Sequence, residues 1–207
     1  MRTHTKETQD ILTPELALEI LKEGNARFVN NINAHRNLLE QVNETSTGQF
    51  PFAAILSCID SRTSAELIFD QGLGDVFSIR IAGNILNEDI LGSMEFACKV
   101  AGSKLIVVLG HTKCGAIEGA CNHIVMGNIT ALLKKIEPAI EREKETQTER
   151  NGNNKQFVHN VTVNNVFITA QKIKEQSDIL RELEEARQIK IVGALYDLDT
   201  GHVTFYE

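Results

Sequence analysis

The chain has 207 residues, enough for one sizeable domain and too few for two ordinary ones. An apolar fraction of 42% and a charged fraction of 24% are those of a globular chain, and they exclude disorder as its main state. A formal net charge of −7 speaks against a general nucleic-acid binder. The longest apolar runs, residues 52–56 and 105–109, are far too short to cross a membrane.

The first ten residues are polar and show no signal-peptide core, so the expectation is a cytoplasmic protein. Thr13-Pro14-Glu15 then predicts a helix start, with Thr as cap, Pro in the first turn and an acid beside it. Leu16, Ala17, Ile20, Leu21 and Phe28 recur at helical spacing to about residue 29. Residues 30–48 are rich in Asn and Thr and read as a loop with room for a short helical turn. Residues 1–48 thus form an N-terminal helical arm and loop on an α/β core of 49–207, the whole being one domain.

From residue 52 the texture changes. The apolar run 52–56 predicts a strand buried on both faces, and 75–80 a shorter one. Residues 87–100 read as a helix with Ile90, Leu91, Met94, Ala97 and Cys98 on one face. Residues 104–109 give the strongest strand signal. The segments 129–149 and 158–188 read as helices charged on one side, joined through Asn151-Gly152-Asn153-Asn154. Strands at 190–196 and 202–206 close the chain as an antiparallel hairpin over Asp199-Thr200-Gly201. Alternating strands and helices predict an α/β fold with a mainly parallel central sheet flanked by helices.

The two best strands end in unusual residues. The first runs into Ser57-Cys58-Ile59-Asp60-Ser61-Arg62 and the central one into Gly110-His111-Thr112-Lys113-Cys114-Gly115. In a parallel sheet the carboxyl ends share one edge, and ligand sites collect there. Cys58, His111 and Cys114 could therefore converge, although 53 residues separate the first two. Two thiolates and an imidazole suit Zn²⁺, and three protein ligands leave a fourth position open, as catalytic zinc sites do. Against this, a single strand cysteine is usually a small buried hydrophobe, and His-x-x-Cys alone is common by chance. The metal reading rests on Cys-x-Asp-x-Arg and His-x-x-Cys occurring at two strand ends. Asp60 could be a fourth ligand or a hydrogen-bond partner of bound water, with Arg62 keeping it ionised. Cys98 and Cys121 lack such company and read as structural, and reduced thiols fit a chain without an export signal. Phosphate-loop and serine-elbow motifs are absent, against nucleotide binding and serine hydrolysis.

Cys58-x-Asp60-Ser61-Arg62, Arg80-Ile81-Ala82-Gly83-Asn84 and Gly110-His111-x-x-Cys114-Gly115 together resemble the motifs of β-class carbonic anhydrases in type, order and spacing. The likeness covers nearly the whole chain. Ile59 stands where Ser is usual, and Ile81-Ala82-Gly83 departs from commoner triplets, but no ligand is lost. The resemblance implies one Zn²⁺ per chain on Cys58, His111 and Cys114, with Asp60 and Arg62 as a catalytic dyad. It implies a substrate pocket built from Gln49, Phe77, Ala82, Phe96 and the Gly115 amide. The implied reaction is reversible hydration of CO₂ to bicarbonate and a proton by hydroxide on zinc. The implied assembly is a homodimer or a dimer of dimers with the pocket at the interface. Gln49, the absence of Trp, and Ile55 three residues before Cys58 are similar to the plant-type subgroup. Two other readings stay open: a hydrolase of CS₂ or COS on the same scaffold, and a non-catalytic zinc-binding module. The second has no use for Asp60 and Arg62.

Overall fold

The computed structural model describes residues 3–206; residues 1, 2 and 207, the outermost of the expected domain, lie outside them. The arm opens with α1 (Lys6–Asp10), where Thr5 and Thr8 form a capping box. Helix α2 (Pro14–Val29) starts as its sequence predicts, the Thr13 side chain accepting from the Leu16 amide at 3.2 Å. Its buried stripe is Ala17, Leu18, Leu21, Gly24 and Asn25. Leu16, which the spacing places on the apolar face, is 51% exposed, and Leu18 takes its place in the core. The segment expected to be mostly loop contains α3 (Leu38–Thr45), capped by Asn37. Asp70 ties the arm down: its carboxylate accepts from Arg27 Nε and Arg36 Nη1, each at 2.5 Å, and from the Ala34 amide.

Strand β1 (Ala53–Ser57) follows, then α4 (Ala65–Ile68), β2 (Val76–Arg80) and a 3₁₀ turn at Ala82–Asn84. Helix α5 (Glu88–Glu95) runs on as a π turn, Phe96–Val100, so one helical segment covers the span expected from the sequence. Next come β3 (Leu105–His111), α6 (Gly115–Cys121), α7 (Gly127–Leu133) and α8 (Glu137–Arg142). The long helix expected over 129–149 is therefore two short ones and an irregular end. Pro138 sits in the first turn of α8, where a missing N–H is harmless, and would break a continuous helix. Beyond α8 the Glu143 carboxylate, 1% exposed, accepts from the amides of Glu145 and Thr146 and from Arg150 and Asn160. That satisfied carboxylate stabilises a loop in a stretch whose charges look helical. Helices α9 (Lys155–Gln176) and α10 (Asp178–Glu185) are divided at Ser177, which caps α10 and donates to Glu95. Strands β4 (Lys190–Tyr196) and β5 (Val203–Tyr206) end the chain.

The sheet has the order β2-β1-β3-β4-β5, parallel except for the antiparallel β4–β5 pair. β1 and β3 are buried throughout, so their uniform apolarity serves two faces. Ala53 and Ile55 pack with Leu105 and Val107 against α2 and α4. Ala54 and Leu56 pack with Ile106 and Val108 against α5, α9 and α10. From β1 the chain first adds β2 on one side and then β3 on the other. The order reverses between β1 and β3, and a crevice opens there beyond their carboxyl ends.

Helix α9 closes on the sheet through Val166. A Cβ on Gly110 would lie 2.6 Å from Val166 Cγ2, and one on Gly193 2.7 Å from Val166 Cγ1. Gly110 directly precedes His111, so this close approach also sets the depth of the strand end. We expect Gly110→Ala to destabilise the fold by about 2 kcal/mol through overpacking. An unchanged urea midpoint would contradict this.

Candidate metal centre

Cys58 follows the last residue of β1, and His111 is the last residue of β3. The register pairs Ser57 with Leu109 on adjacent strands, which brings the two strand ends side by side. Cys114 arrives through a two-residue turn, Thr112-Lys113, in which Lys113 takes a left-handed φ of 56°, and it occupies the cap position of α6. Among the described residues, Cys58, His111 and Cys114 form a buried group whose ligand atoms all lie within 4.8 Å of one another.

The Cys58 and Cys114 sulfurs are 3.9 Å apart. Two sulfurs bound tetrahedrally at about 2.3 Å would stand about 3.8 Å apart. His111 Nδ1 lies 2.9 Å from the Thr112 carbonyl oxygen, which can only accept, so Nδ1 carries the proton. Nε2 then offers a lone pair, is buried, and has no hydrogen-bond partner. A buried orphan acceptor beside two sulfurs fits a metal ion, and the donor set fits zinc. The Gly83 amide reaches Cys58 Sγ at 3.3 Å. The Cys58 thiol is pulled far down, first by the hydrogen bond from Cys114 and also by His111; Cys114 is pushed up as the donor of that pair.

The Thr112 peptide is held in turn. Thr112 Oγ1 donates to Asp197 Oδ1 at 3.2 Å and accepts from the Leu198 amide at 3.0 Å. The Thr112 amide donates to the Tyr196 carbonyl, and Lys113 pairs with Asp199. The hairpin that closes the chain thus fixes the turn between two of the three residues of this group.

Asp60 and Arg62 stand on the loop after β1. Arg62 Nε and Nη2 donate to the two Asp60 carboxylate oxygens at 2.9 and 2.7 Å, and the Arg62 amide donates to Oδ1 at 3.0 Å. These bonds, the guanidinium first, hold the Asp60 carboxyl well below the usual carboxylate range. At neutral pH Asp60 is an acceptor only. Arg80, at the end of β2, donates to the carbonyls of Cys58 and Asp60 at 3.0 and 2.6 Å. Buried Thr63 donates to the same two carbonyls. Arg80 thus braces the loop that carries Asp60. Ile59, the departure from the motif, is 61% exposed. Cys98 and Cys121 are buried free thiols, pushed up by burial to about 12 and about 11.

The family model described as carbonic anhydrase matches residues 53–203. Carbonic anhydrase 2 of Mycobacterium tuberculosis is 35% identical over 194 residues, covering 91% of this chain and 90% of that protein. The chain belongs to the carbonic anhydrase family. Members of the family interconvert CO₂ and bicarbonate. Solved structures place the fold in the β class. A β-carbonic anhydrase of Aspergillus fumigatus superposes with a TM-score of 0.73 at 24% identity, over 93% of this chain and 90% of that one. A tetrameric β-carbonic anhydrase of Sordaria macrospora gives 0.68 at 22%, over 80% and 89%.

Of the pocket residues that the carbonic anhydrase motifs imply, one chain gathers only some around the Cys58–His111–Cys114 group. Half-buried Ala82 adjoins Gly83, whose amide touches Cys58, and Gly115 follows Cys114 with its Cα face open. Gln49 is exposed at the amino end of β1, the far end of the strand from Cys58. Phe77, the second residue of β2, is paired with Ala54 on the sheet edge, toward the amino ends of both strands. Phe96 meets it edge to face at 6.4 Å and is 53% exposed. These two rings line an open groove of about 710 Å³ with Ser78, Glu88, Asp89 and Gly92. The groove includes none of the three metal-site residues. No described helix is long and apolar enough to cross a membrane.

Proposed function

We propose that this carbonic anhydrase hydrates CO₂ with a single Zn²⁺ held by Cys58, His111 and Cys114, and that Asp60 and Arg62 form its catalytic dyad. The observation that carries this reading is the buried, partnerless His111 Nε2 facing two sulfurs 3.9 Å apart, beside a carboxylate already forked to an arginine. Zinc, when bound, supplies the Lewis acidity that brings the ionisation of water near neutral pH.

The chain's own groups do the rest. Asp60, held ionised by Arg62, accepts a proton or hydrogen bond from the attacking water and turns its lone pair toward the carbon. Arg62 keeps Asp60 in place and off the metal. Arg80 and Thr63 keep the loop from drifting. The Gly115 amide, in the first turn of α6, donates to an oxygen of CO₂ or bicarbonate in this reading, and Ala82 contributes apolar wall. One chain acts as one domain, its arm fastened through Asp70.

Gln49, Phe77 and Phe96 complete a pocket only if a second copy brings them to the metal centre. We therefore read the working unit as a homodimer or a dimer of dimers. Sedimentation under assay conditions should find no monomer; a fully active monomer would sink this reading. The function is tested by stopped-flow CO₂ hydration with metal analysis, run beside sulfide release from CS₂ and COS. Hydration with one zinc per chain is the expected result. Sulfide release without hydration, or metal binding without either, would overturn it.

A further inference from the structure

We propose that Asn165, buried on α9 and remote in sequence from every metal-site motif, is a positioning residue that holds the Gly83 amide on the Cys58 sulfur and so tunes the metal centre. This rests on the zinc reading above.

Gly83 sits in the left-handed region, with φ 68° and ψ 18°. The next residue, Asn84, is also left-handed at φ 42°. Two such residues in succession do not hold themselves, since asparagine tolerates that region without preferring it. Besides the bond to Cys58, the turn has two fastenings. The Asn84 amide donates to the Ile81 carbonyl at 2.9 Å, and Asn165 Nδ2 donates to the Gly83 carbonyl, also at 2.9 Å. The second comes from outside the turn and is buried, Asn165 being 2% exposed. A side chain on Gly83 could not replace it, because a Cβ there would meet Ile136 at 3.0 Å and Ala116 at 3.3 Å.

On the other side of the same Cα, the Gly83 N–H points at Cys58 Sγ, 3.3 Å away. An N–H bonded to a thiolate withdraws charge from the sulfur and weakens its donation to a metal, which leaves the metal a stronger Lewis acid. A centre with two thiolates gains most from this, since thiolates donate more charge than imidazoles. The scaffold sets the distance firmly. Val166, the neighbour of Asn165, is the side chain that meets both Gly110 and Gly193, so the helix turn that fixes β3 under His111 also fixes Gly83 over Cys58.

The test uses full-length Asn165→Leu, nearly the same size without a donor, and Asn165→Ser, whose shorter donor lengthens the bond. Each is loaded with Co²⁺ for the thiolate-to-metal charge-transfer band and with Zn²⁺ for kinetics, and metal-free melting is recorded. The expected result is a band shifted to lower energy and kcat lowered about 10-fold with KM unchanged, the shift being smaller in the serine variant. If leucine prevents folding, the serine variant decides. A band and a kcat equal to wild type, with only the melting temperature lowered, would reduce Asn165 to a packing role and overturn the inference. A wild-type chain that binds neither Co²⁺ nor Zn²⁺ would instead overturn the zinc reading beneath it.

Discussion

Cys58→Ser, His111→Asn and Cys114→Ser should each abolish zinc retention and CO₂ hydration together. The reason lies in the site's economy of donors. Three buried groups converge, and two nearby oxygen donors are already engaged: Asp60 is forked to Arg62, and Thr112 is held by Asp197 and Leu198. None is free to replace a lost ligand. Serine keeps the size of cysteine, but its oxygen is a poor, protonated donor at neutral pH, whereas zinc favours thiolate. Asn at position 111 could retain a hydrogen bond to the Thr112 carbonyl while removing the lone pair that faces the sulfurs. Metal content should fall below about a tenth of an ion per chain and hydration to background, with the fold kept, because β1 and β3 are packed along their whole length. Circular dichroism checks the fold and metal analysis the site. Wild-type hydration in any of the three variants would refute the ligand assignment.

The strands that build this site were legible because each is buried on both faces, and double burial leaves a mark in a single sequence: residues 52–56 and 105–109 are apolar without alternation. The candidate metal-site residues were legible because strand ends on a parallel sheet share an edge, so residues 53 positions apart could be placed together. What stayed hidden depends on tertiary partners. Helix α3 is capped by Asn37 within a stretch of polar residues that also suits a loop. The irregular segment after Arg142 is stabilised by Glu143, whose burial no local pattern reveals among so many exposed charges. Leu16 and Leu18 differ by two positions on one helix, and only packing on the sheet decides which is core. Asn165 did leave a signal. It falls at helical spacing among Val158, Val161, Thr162, Val166 and Thr169, all buried, and a polar amide on such a stripe needs a partner. Gln49, Phe77 and Phe96 show the opposite limit. Their types were readable, but one chain leaves them away from the metal ligands.

Asp60→Asn should keep zinc and the fold yet lower kcat/KM by about 10²–10⁴-fold, the usual range for losing a positioned proton acceptor. The substitution is nearly isosteric, but it replaces one carboxylate oxygen by an NH₂ group, which cannot accept and which meets an Arg62 nitrogen as donor to donor. Stability should hardly change, because Arg62 is half exposed and a surface ion pair contributes little. In the wild-type enzyme the guanidinium keeps Asp60 ionised far below neutrality, so its own titration should leave no limb in the rate profile between about pH 5 and 9. A folded-state value held below the unfolded one means that any stability from this pair is present above about pH 4 and fades as acid protonates the carboxylate. Arg62→Ala should cost activity similarly by another route, since it frees the carboxylate to drift or to reach the metal. A zinc-loaded crystal structure near pH 8 separates the two roles: Asp60 should remain forked to Arg62 in the wild-type enzyme and leave that position only in Arg62→Ala. Asp60 bound to zinc in the wild type, or normal kinetics in both variants, would show that the fork does not keep this site open.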